Sequence, residues 1–287
     1  MILVDLNQVM ISNLMMQPDI SKRVDENVVR HMVANALRSY NVKFAKDYGR
    51  MVICADDKKY WRKKVFPYYK ASRRKERSAS PYDWAMIFDT LHKIKDEIKE
   101  FFPYSVVQID GAEADDIIGT LCHRHGVFLK NETTEKILIL SSDKDFMQLQ
   151  KFVNIDQYSP IAKKFIKPDV NPHSFLCEHI IRGDRGDGIP NILSSDDTFV
   201  TDSRQKPISS KKLNTWVTQT PEEFCSTEML RNYNRNQMLI DLAKIPEDLQ
   251  EQIVDGFETA PKRGREKLFN YFIKNKMKHL MEHLQEF

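Results

Sequence analysis

The chain has 287 residues, 41% of them hydrophobic, enough to bury a sizeable core in one large domain or two modest ones. Lys and Arg number 44 against 41 Asp and Glu, so the formal net charge is only +3 and the total points to no partner. No apolar run nears the roughly 18 residues of a membrane span, and no basic-then-apolar leader opens the chain. The four cysteines are too widely spaced for a zinc or disulfide framework, so a cytoplasmic protein with no membrane partner is expected.

The first residues, Ile2 to Leu6, read as a buried strand carrying one acid, Asp5. From Asp25, apolar residues at spacings of three and four run through Val28, Val29, Met32, Val33, Ala36, Leu37, Tyr40 and Phe44, with Gly49 as a stop. Met51 to Ala55 predicts a second strand ending at Asp56. A helix carrying Trp84, Ile87, Leu91, Ile94 and Ile98 stops at Pro103, and Ser105 to Ile109 predicts a third strand. Asp115 to Cys122 reads as a helix and Ile137 to Leu140 as a fourth strand, ending at Ser141, Ser142 and Asp143. The alternation argues for an α/β fold with a mostly parallel central sheet flanked by helices over 1–167. Beyond 168 the texture turns to Pro, Gly and polar residues, so 168–287 is expected to be a smaller helical region, ending in one helix from Leu268 to Leu284.

Acids recur where these strands end: Asp5, Asp56, Glu113 with Asp115 and Asp116, Asp143 with Asp145, and Asp184 with Asp187 in a Gly-rich turn. Taken singly, an Asp at a strand end is a turn former or helix cap. Ligands of open α/β sheets, however, collect beyond the carboxyl ends of the strands, and five elements deliver acids there. Asp5 inside an apolar run is costly to bury without a partner. Two carboxylates about 4 Å apart repel by roughly 4 kcal/mol at an effective dielectric of 20, so protons or cations must neutralise such a group. Hard oxygen ligands with no His or Cys expected among them favour magnesium or manganese, and a pair of such ions suits phosphodiester hydrolysis.

Residues 58 to 77 hold ten Lys and Arg against Glu76 alone, a local charge of +9, with Tyr60, Trp61, Phe66, Tyr68 and Tyr69 interleaved. Cations for phosphates and rings for bases suit a nucleic-acid surface, and so much like charge predicts a segment that does not dock without its ligand. A second basic stretch, Lys262 to Lys278, reads as the outer face of a terminal helix.

V-D-L near the start, C-A-D after the second strand, E-A-D-D at 113–116, S-S-D-K-D-F at 141–146 and G-D-R-G-D-G-I-P at 183–190 together resemble the flap endonuclease-like 5'-nuclease family, and within it the T-even phage type of ribonuclease H. The resemblance implies a PIN-like nuclease core and a magnesium-dependent enzyme, with manganese able to substitute, that works from 5' ends of RNA–DNA hybrids and duplex DNA and cuts 5' flaps. It implies a first metal ion among Asp56, Asp115 and Asp143, with Glu113 and Asp5 near. A second ion would lie at Asp145 and Asp187, with Asp184 reaching it through water and Asp116 behind the ligands. Lys70 and Arg73 match arch residues that contact the scissile phosphate. Arg62, Lys63, Lys64, Arg74, Lys75, Lys211 and Lys212 would bind nucleic acid, and Tyr68 and Tyr69 would stack on a base. Relatives continue the G-D-x-x-D motif with glycines in a helix-hairpin-helix that holds a potassium ion. Here N-I-L-S-S-D-D-T-F follows instead, which leaves that potassium site in question. The resemblance also implies a monomer removing RNA primers during replication in the cytoplasm of a phage-infected host, beside partners such as a single-stranded DNA-binding protein.

Three rivals remain. A haloacid dehalogenase-like phosphohydrolase needs D-x-D on its first strand, where this chain has Asp5, Leu6, Asn7. A nucleic-acid-binding module without catalysis would not need the complete set of acids. A PIN-type endoribonuclease is shorter and lacks the arch.

Overall fold

The computed structural model describes residues 1–15, 25–129, 131–201, 203–261 and 263–287, so Lys262 of the second basic stretch lies outside the described residues. Strand β1 (Ile2–Asp5) ends one residue earlier than expected, because the Asp5 side chain accepts the Gln8 amide at 3.1 Å and caps α1 (Leu6–Leu14). Asp25 caps α2 (Glu26–Tyr48), and Gly49, at φ 80°, ends it before β2 (Met51–Cys54). The basic segment forms α3 (Arg62–Val65) and α4 (Ser72–Ser78), and α5 (Trp84–Phe101) leads into β3 (Ser105–Val107). Then come α6 (Ala114–His125), β4 (Ile137–Leu140), a 3-10 helix (Lys144–Lys151), β5 (Ile155–Ser159) and β6 (Lys164–Ile166). The rest is helical: α7 (Pro172–Arg182), α8 (Ser210–Trp216), α9 (Pro221–Phe224), α10 (Thr227–Ile240), α11 (Glu247–Thr259), α12 (Glu266–Lys274) and α13 (Lys278–Met281). The single terminal helix expected from Leu268 to Leu284 is broken between α12 and α13, where Lys276 adopts φ 56°.

The strands form one six-stranded sheet in the order β3-β2-β1-β4-β5-β6, parallel except for β6, which pairs antiparallel with β5. Continuous apolar runs such as Ile137–Leu140 suit this arrangement, since both faces of the central strands are covered. Ile2, Val4, Met51 and Ile53 point into one core with α1, α2 and α5, which also takes in Leu268, Phe272 and Phe287. Leu3, Val52, Cys54 and Ile139 point into the other with α6, and that core takes in Leu249, Ile253 and Phe257 of α11. Residues beyond 240 thus pack on both faces of the sheet.

Order reversal places β1 between β2 and β4, each reached by a connection on an opposite side, and a crevice opens beyond their carboxyl ends. A third, smaller core sits over that edge. It joins Phe66 and Tyr69 of the basic segment to Ile180, Ile181, Ile189, Ile192, Leu239 and Ile240. The expectation of an undocked arch is therefore corrected. Phe66 and Tyr69 are its anchors, both only 2% exposed, while Tyr68 is exposed and α4 buries no residue.

Candidate active site and metal centre

Each acid is fixed by the backbone feature that begins or ends its element. Asp5 is buried, with one oxygen on the Gln8 amide and the other accepting the Ser141 hydroxyl at 3.1 Å. Asp56 follows β2 and accepts the Ala114 amide at 2.6 Å and the Asn7 side chain at 2.5 Å, so it ties the start of α6 to the start of α1. Asp143 caps the 3-10 helix by accepting the Asp145 amide at 3.0 Å, so Asp145 belongs to that helix. Burial drives the Asp5 carboxyl up to about 7, with the nearby Asp56 and Asp143 adding to the shift. Burial, then Asp143 and Asp5, push Asp115 well above the ordinary carboxylate range. Asp56 is raised mainly by burial. Asp5, Asp115 and Asp143 thus repel one another in one crevice, as the sequence pattern predicts.

A second group gathers beneath α7. Asp145, His179 and Asp184 offer one donor atom each within 4.8 Å of one another, and among the described residues this trio forms the compact set of that kind. His179 Nε2 lies 2.9 Å from Asp184 Oδ2, and its Nδ1 lies 3.4 Å from Asp145 Oδ1. Asp184 also pairs with Lys144 at 2.8 Å and accepts the Asp187 amide at 3.1 Å. Despite burial, His179 and Lys144 hold the Asp184 carboxyl well below its usual range, whereas burial and Asp143 raise Asp145 to about 7. The expectation that no imidazole stands among the acids is corrected: His179 is one helical turn and a tight corner before Asp184, a spacing that no acid-only pattern reveals.

Basic residues occupy the third part of the site. Glu113 begins α6, its amide bonded to Asp116 at 2.9 Å. Its carboxylate takes Arg62 and the Tyr69 hydroxyl at 2.9 Å each and Lys70 at 2.5 Å. Although burial pushes it up, Lys70 and Arg62 hold Glu113 below its ordinary value. Asp116 is fully buried and pairs with Arg62 at 2.8 Å, while the Trp61 indole donates to it at 3.2 Å. Asp187 receives Arg73 at 2.5 Å and the Tyr69 hydroxyl at 2.8 Å, with Lys70 at 3.7 Å. The Asp187 side chain therefore faces the arch, while its amide is held by Asp184 of the trio.

Two residues of the expected nucleic-acid surface are corrected. Arg62 is 3% exposed, with its guanidinium committed to Glu113, Asp116 and the Leu239 carbonyl, and Tyr69 is buried with its hydroxyl shared by two carboxylates. Lys63, Lys64, Tyr68, Arg74 and Lys75 are exposed on the arch, and Lys211 and Lys212 are exposed on α8. A cavity of about 750 Å³ beside the arch is lined by Tyr60, Lys63, Lys70, Arg73, Arg74, Arg77 and Trp84 among others.

The Gly-rich turn is built for close approach. Gly183 adopts φ 65°, and a Cβ there would stand 2.3 Å from the Ile189 carbonyl. Gly188, at φ 72°, lets the turn approach the Tyr68 carbonyl, where a Cβ would stand at 3.1 Å, and Lys70, itself at φ 56°, donates its amide to the Asp187 carbonyl at 2.7 Å. Sequence reasoning missed the buried amides and guanidinium of α10 that hold this turn. Asn236 donates to the Ile180 and Pro190 carbonyls at 2.8 and 2.9 Å, Arg235 to Pro190 at 2.9 Å, and Asn232 to Ile192 at 3.0 Å. Between α7 and α8 the chain runs through turns fastened by Asn191 to Gln205 and Lys206, in keeping with its departure from the family's glycines.

The family model described as 5'-3' exonuclease, N-terminal resolvase-like domain, matches residues 1–171, and that described as T4 RNase H, C terminal, matches 173–287. Ribonuclease H of Enterobacteria phage T4 is 31% identical over 295 aligned residues, covering 99% of this chain and 95% of that protein. A 5'-3' exonuclease of Buchnera aphidicola subsp. Schizaphis graminum is 32% identical over 148 residues, half of this chain and 47% of that protein. The fold matches the zinc-bound bacteriophage T5 5'-exonuclease at a TM-score of 0.59 and 18% identity, over 91% of this chain and 99% of that one. A T5 flap endonuclease in complex with DNA and metal ions matches at 0.58 and 18%, over 90% and 99%. The chain belongs to the 5'-3' exonuclease family, with a carboxyl-terminal region of the T4 ribonuclease H kind.

Proposed function

We propose that the protein is a magnesium-dependent nuclease that hydrolyses phosphodiesters from the 5' ends of RNA–DNA hybrids and duplex DNA and cuts 5' flaps, and that it removes RNA primers in the cytoplasm of an infected host. The observation that carries this reading is the convergence of Asp5, Asp115 and Asp145 around Asp143 in one crevice, the first three with carboxyls raised by burial and by their acidic neighbours, beside a basic arch. Carboxylates so crowded are suited to divalent cations, and Asp145 Oδ1, buried without a hydrogen-bond partner, fits the same need.

Asp56, Asp115 and Asp143, with Asp5 beside them, would hold one ion, and Asp145 with its neighbours another. Bound there, such ions lower the pKa of a water and stabilise the leaving oxygen of a phosphodiester. The protein's own side chains supply orientation and charge. Asn7 and the Ala114 amide fix Asp56, and the Gln8 amide and Ser141 fix Asp5. Lys70 and Arg73 border both the acids and the cavity beside the arch, where they would balance the charge that builds on a phosphate. The exposed cations of the arch and α8 would track the backbone of the strand. No side chain is assigned as general base.

Asp143→Asn keeps the acceptor that caps the Asp145 amide while removing the charge. It is expected to abolish magnesium-dependent product release from a 5'-labelled RNA–DNA hybrid with the fold intact. Retained activity in that variant would remove the proposed site. Comparing a 5' flap, a nicked hybrid and free single strand in the same assay ranks the substrates.

A further inference from the structure

The trio beneath α7 differs in kind from the rest of the acidic crevice, because one of its members offers nitrogen. His179 is about 6% exposed, and its ring is held on two sides. Nε2 meets the Asp184 carboxylate at 2.9 Å, and Phe175 packs edge-on against the ring at 5.7 Å. A carboxylate that Lys144 already holds in ionised form takes its hydrogen bond from Nε2–H, which leaves the lone pair on Nδ1. That atom is buried and has no hydrogen-bond partner. Opposite it, at 3.4 Å, is Asp145 Oδ1, also buried and also without a partner. The two atoms thus face each other with no hydrogen bond between them, a costly arrangement unless a proton on the ring or a metal cation sits against both.

The separation suits a metal ion better than a shared proton. It exceeds the usual 2.7–3.2 Å of a nitrogen–oxygen hydrogen bond. Adjacent ligands of an octahedral ion with bonds of about 2.1 Å stand about 3 Å apart. Asp184, with one oxygen on His179 and Lys144 and the other on the Asp187 amide, is then the outer carboxylate that orients a ligating histidine.

We propose that His179, through Nδ1, joins Asp145 as a direct nitrogen ligand to one of the divalent ions of this nuclease, and that this position prefers manganese to magnesium. The inference rests on the metal-dependent reading above and adds to it the identity of one ligand and one ion. Magnesium takes oxygen ligands almost exclusively, whereas imidazole suits the later divalent ions, so replacing one carboxylate by imidazole tilts the choice.

Mn2+ alone, added to the full chain, is the probe, read by pulsed electron paramagnetic resonance for nitrogen coupling to the bound ion. The wild-type protein is expected to show directly coordinated nitrogen, and His179→Gln to lose it. In calorimetric titrations the same variant should weaken Mn2+ binding about tenfold or more while changing Mg2+ binding less than about threefold. Bound Mn2+ without nitrogen coupling in the wild type overturns the inference while leaving the nuclease reading in place. Coupling that survives in His179→Gln, or equal weakening of both ions, overturns it too. No Mn2+ binding at all would overturn both. The wild-type spectrum decides the ligand whether or not the variant folds.

Discussion

Replacing Asp5 by Asn tests whether the crevice is strained by its own charge. Asn keeps the shape and one acceptor for the Gln8 amide, and its amide nitrogen can donate to the Ser141 hydroxyl. What it removes is a carboxyl raised from 3.8 to about 7, chiefly by burial and then by Asp56. A group whose folded-state pKa lies above its unfolded value leaves stability at its full level below the unfolded value. That stability is lost as pH rises between the two and levels off above the folded one. At about 1.4 kcal/mol per unit, the loss reaches at most about 4 kcal/mol at pH 8 and about 1 kcal/mol near pH 4.5. In chelator, Asp5→Asn should therefore unfold at higher urea than the wild type at pH 8, with the advantage shrinking as pH falls toward 4.5. With magnesium present the order should reverse, since the wild type gains binding energy that the variant lacks. A variant no more stable than wild type at pH 8, or equally stabilised at both pH values, refutes the account of a carboxyl raised by burial and by its acidic neighbours.

The same protonation couples to metal binding. Asp5 and Asp145 release protons near 7, so magnesium affinity should rise about tenfold or more from pH 6 to pH 8, with proton release detected by calorimetry in buffers of different ionisation enthalpy. Arg62→Met leaves Asp116 and Glu113 buried without their guanidinium and should cost about 3–5 kcal/mol in urea unfolding. Arg73→Ala, at the edge of the cavity beside the arch, should lower single-turnover hydrolysis of the hybrid about 100-fold or more while leaving magnesium affinity within about threefold.

The central sheet was legible because parallel strands buried on both faces read as unbroken apolar runs, as at Ile137–Leu140, and because Asp25 and Gly49 bracket α2 with side-chain and backbone chemistry of their own. Strand-end acids were legible for the same reason: their places follow from where the runs stop. Helix α1 was not, since it begins at Leu6 directly after the residue that ends β1, leaving no loop to mark it. Strand β6 is half exposed at a sheet edge and has no alternation to find. In the arch, charge density concealed the anchors. Trp61, Phe66 and Tyr69 sit among cations in sequence yet point inward, and only their packing partners, in the α6 core for Trp61 and on α7 and α10 for Phe66 and Tyr69, tell a packed ring from one free to stack on a base. His179 was hidden because a histidine joins an acidic site through the packing of α7 against the 3-10 helix, a long-range fact. The faces that α11 and α12 cover were likewise unreadable, because an amphipathic helix shows that it docks and not where.

The central place of β1 also bears on how the chain comes together during synthesis. Ile2 pairs with Met51 on one side and with Leu138 on the other, and both pairings are parallel, so neither can begin as a local hairpin. Strand β1 leaves the ribosome long before β4 and must wait for it, apolar on both faces, and the cores on either side wait longer for α11 and α12. Closure of the sheet is therefore a late event dominated by contacts distant in sequence, which favours slow folding and makes partly synthesised chains prone to aggregation.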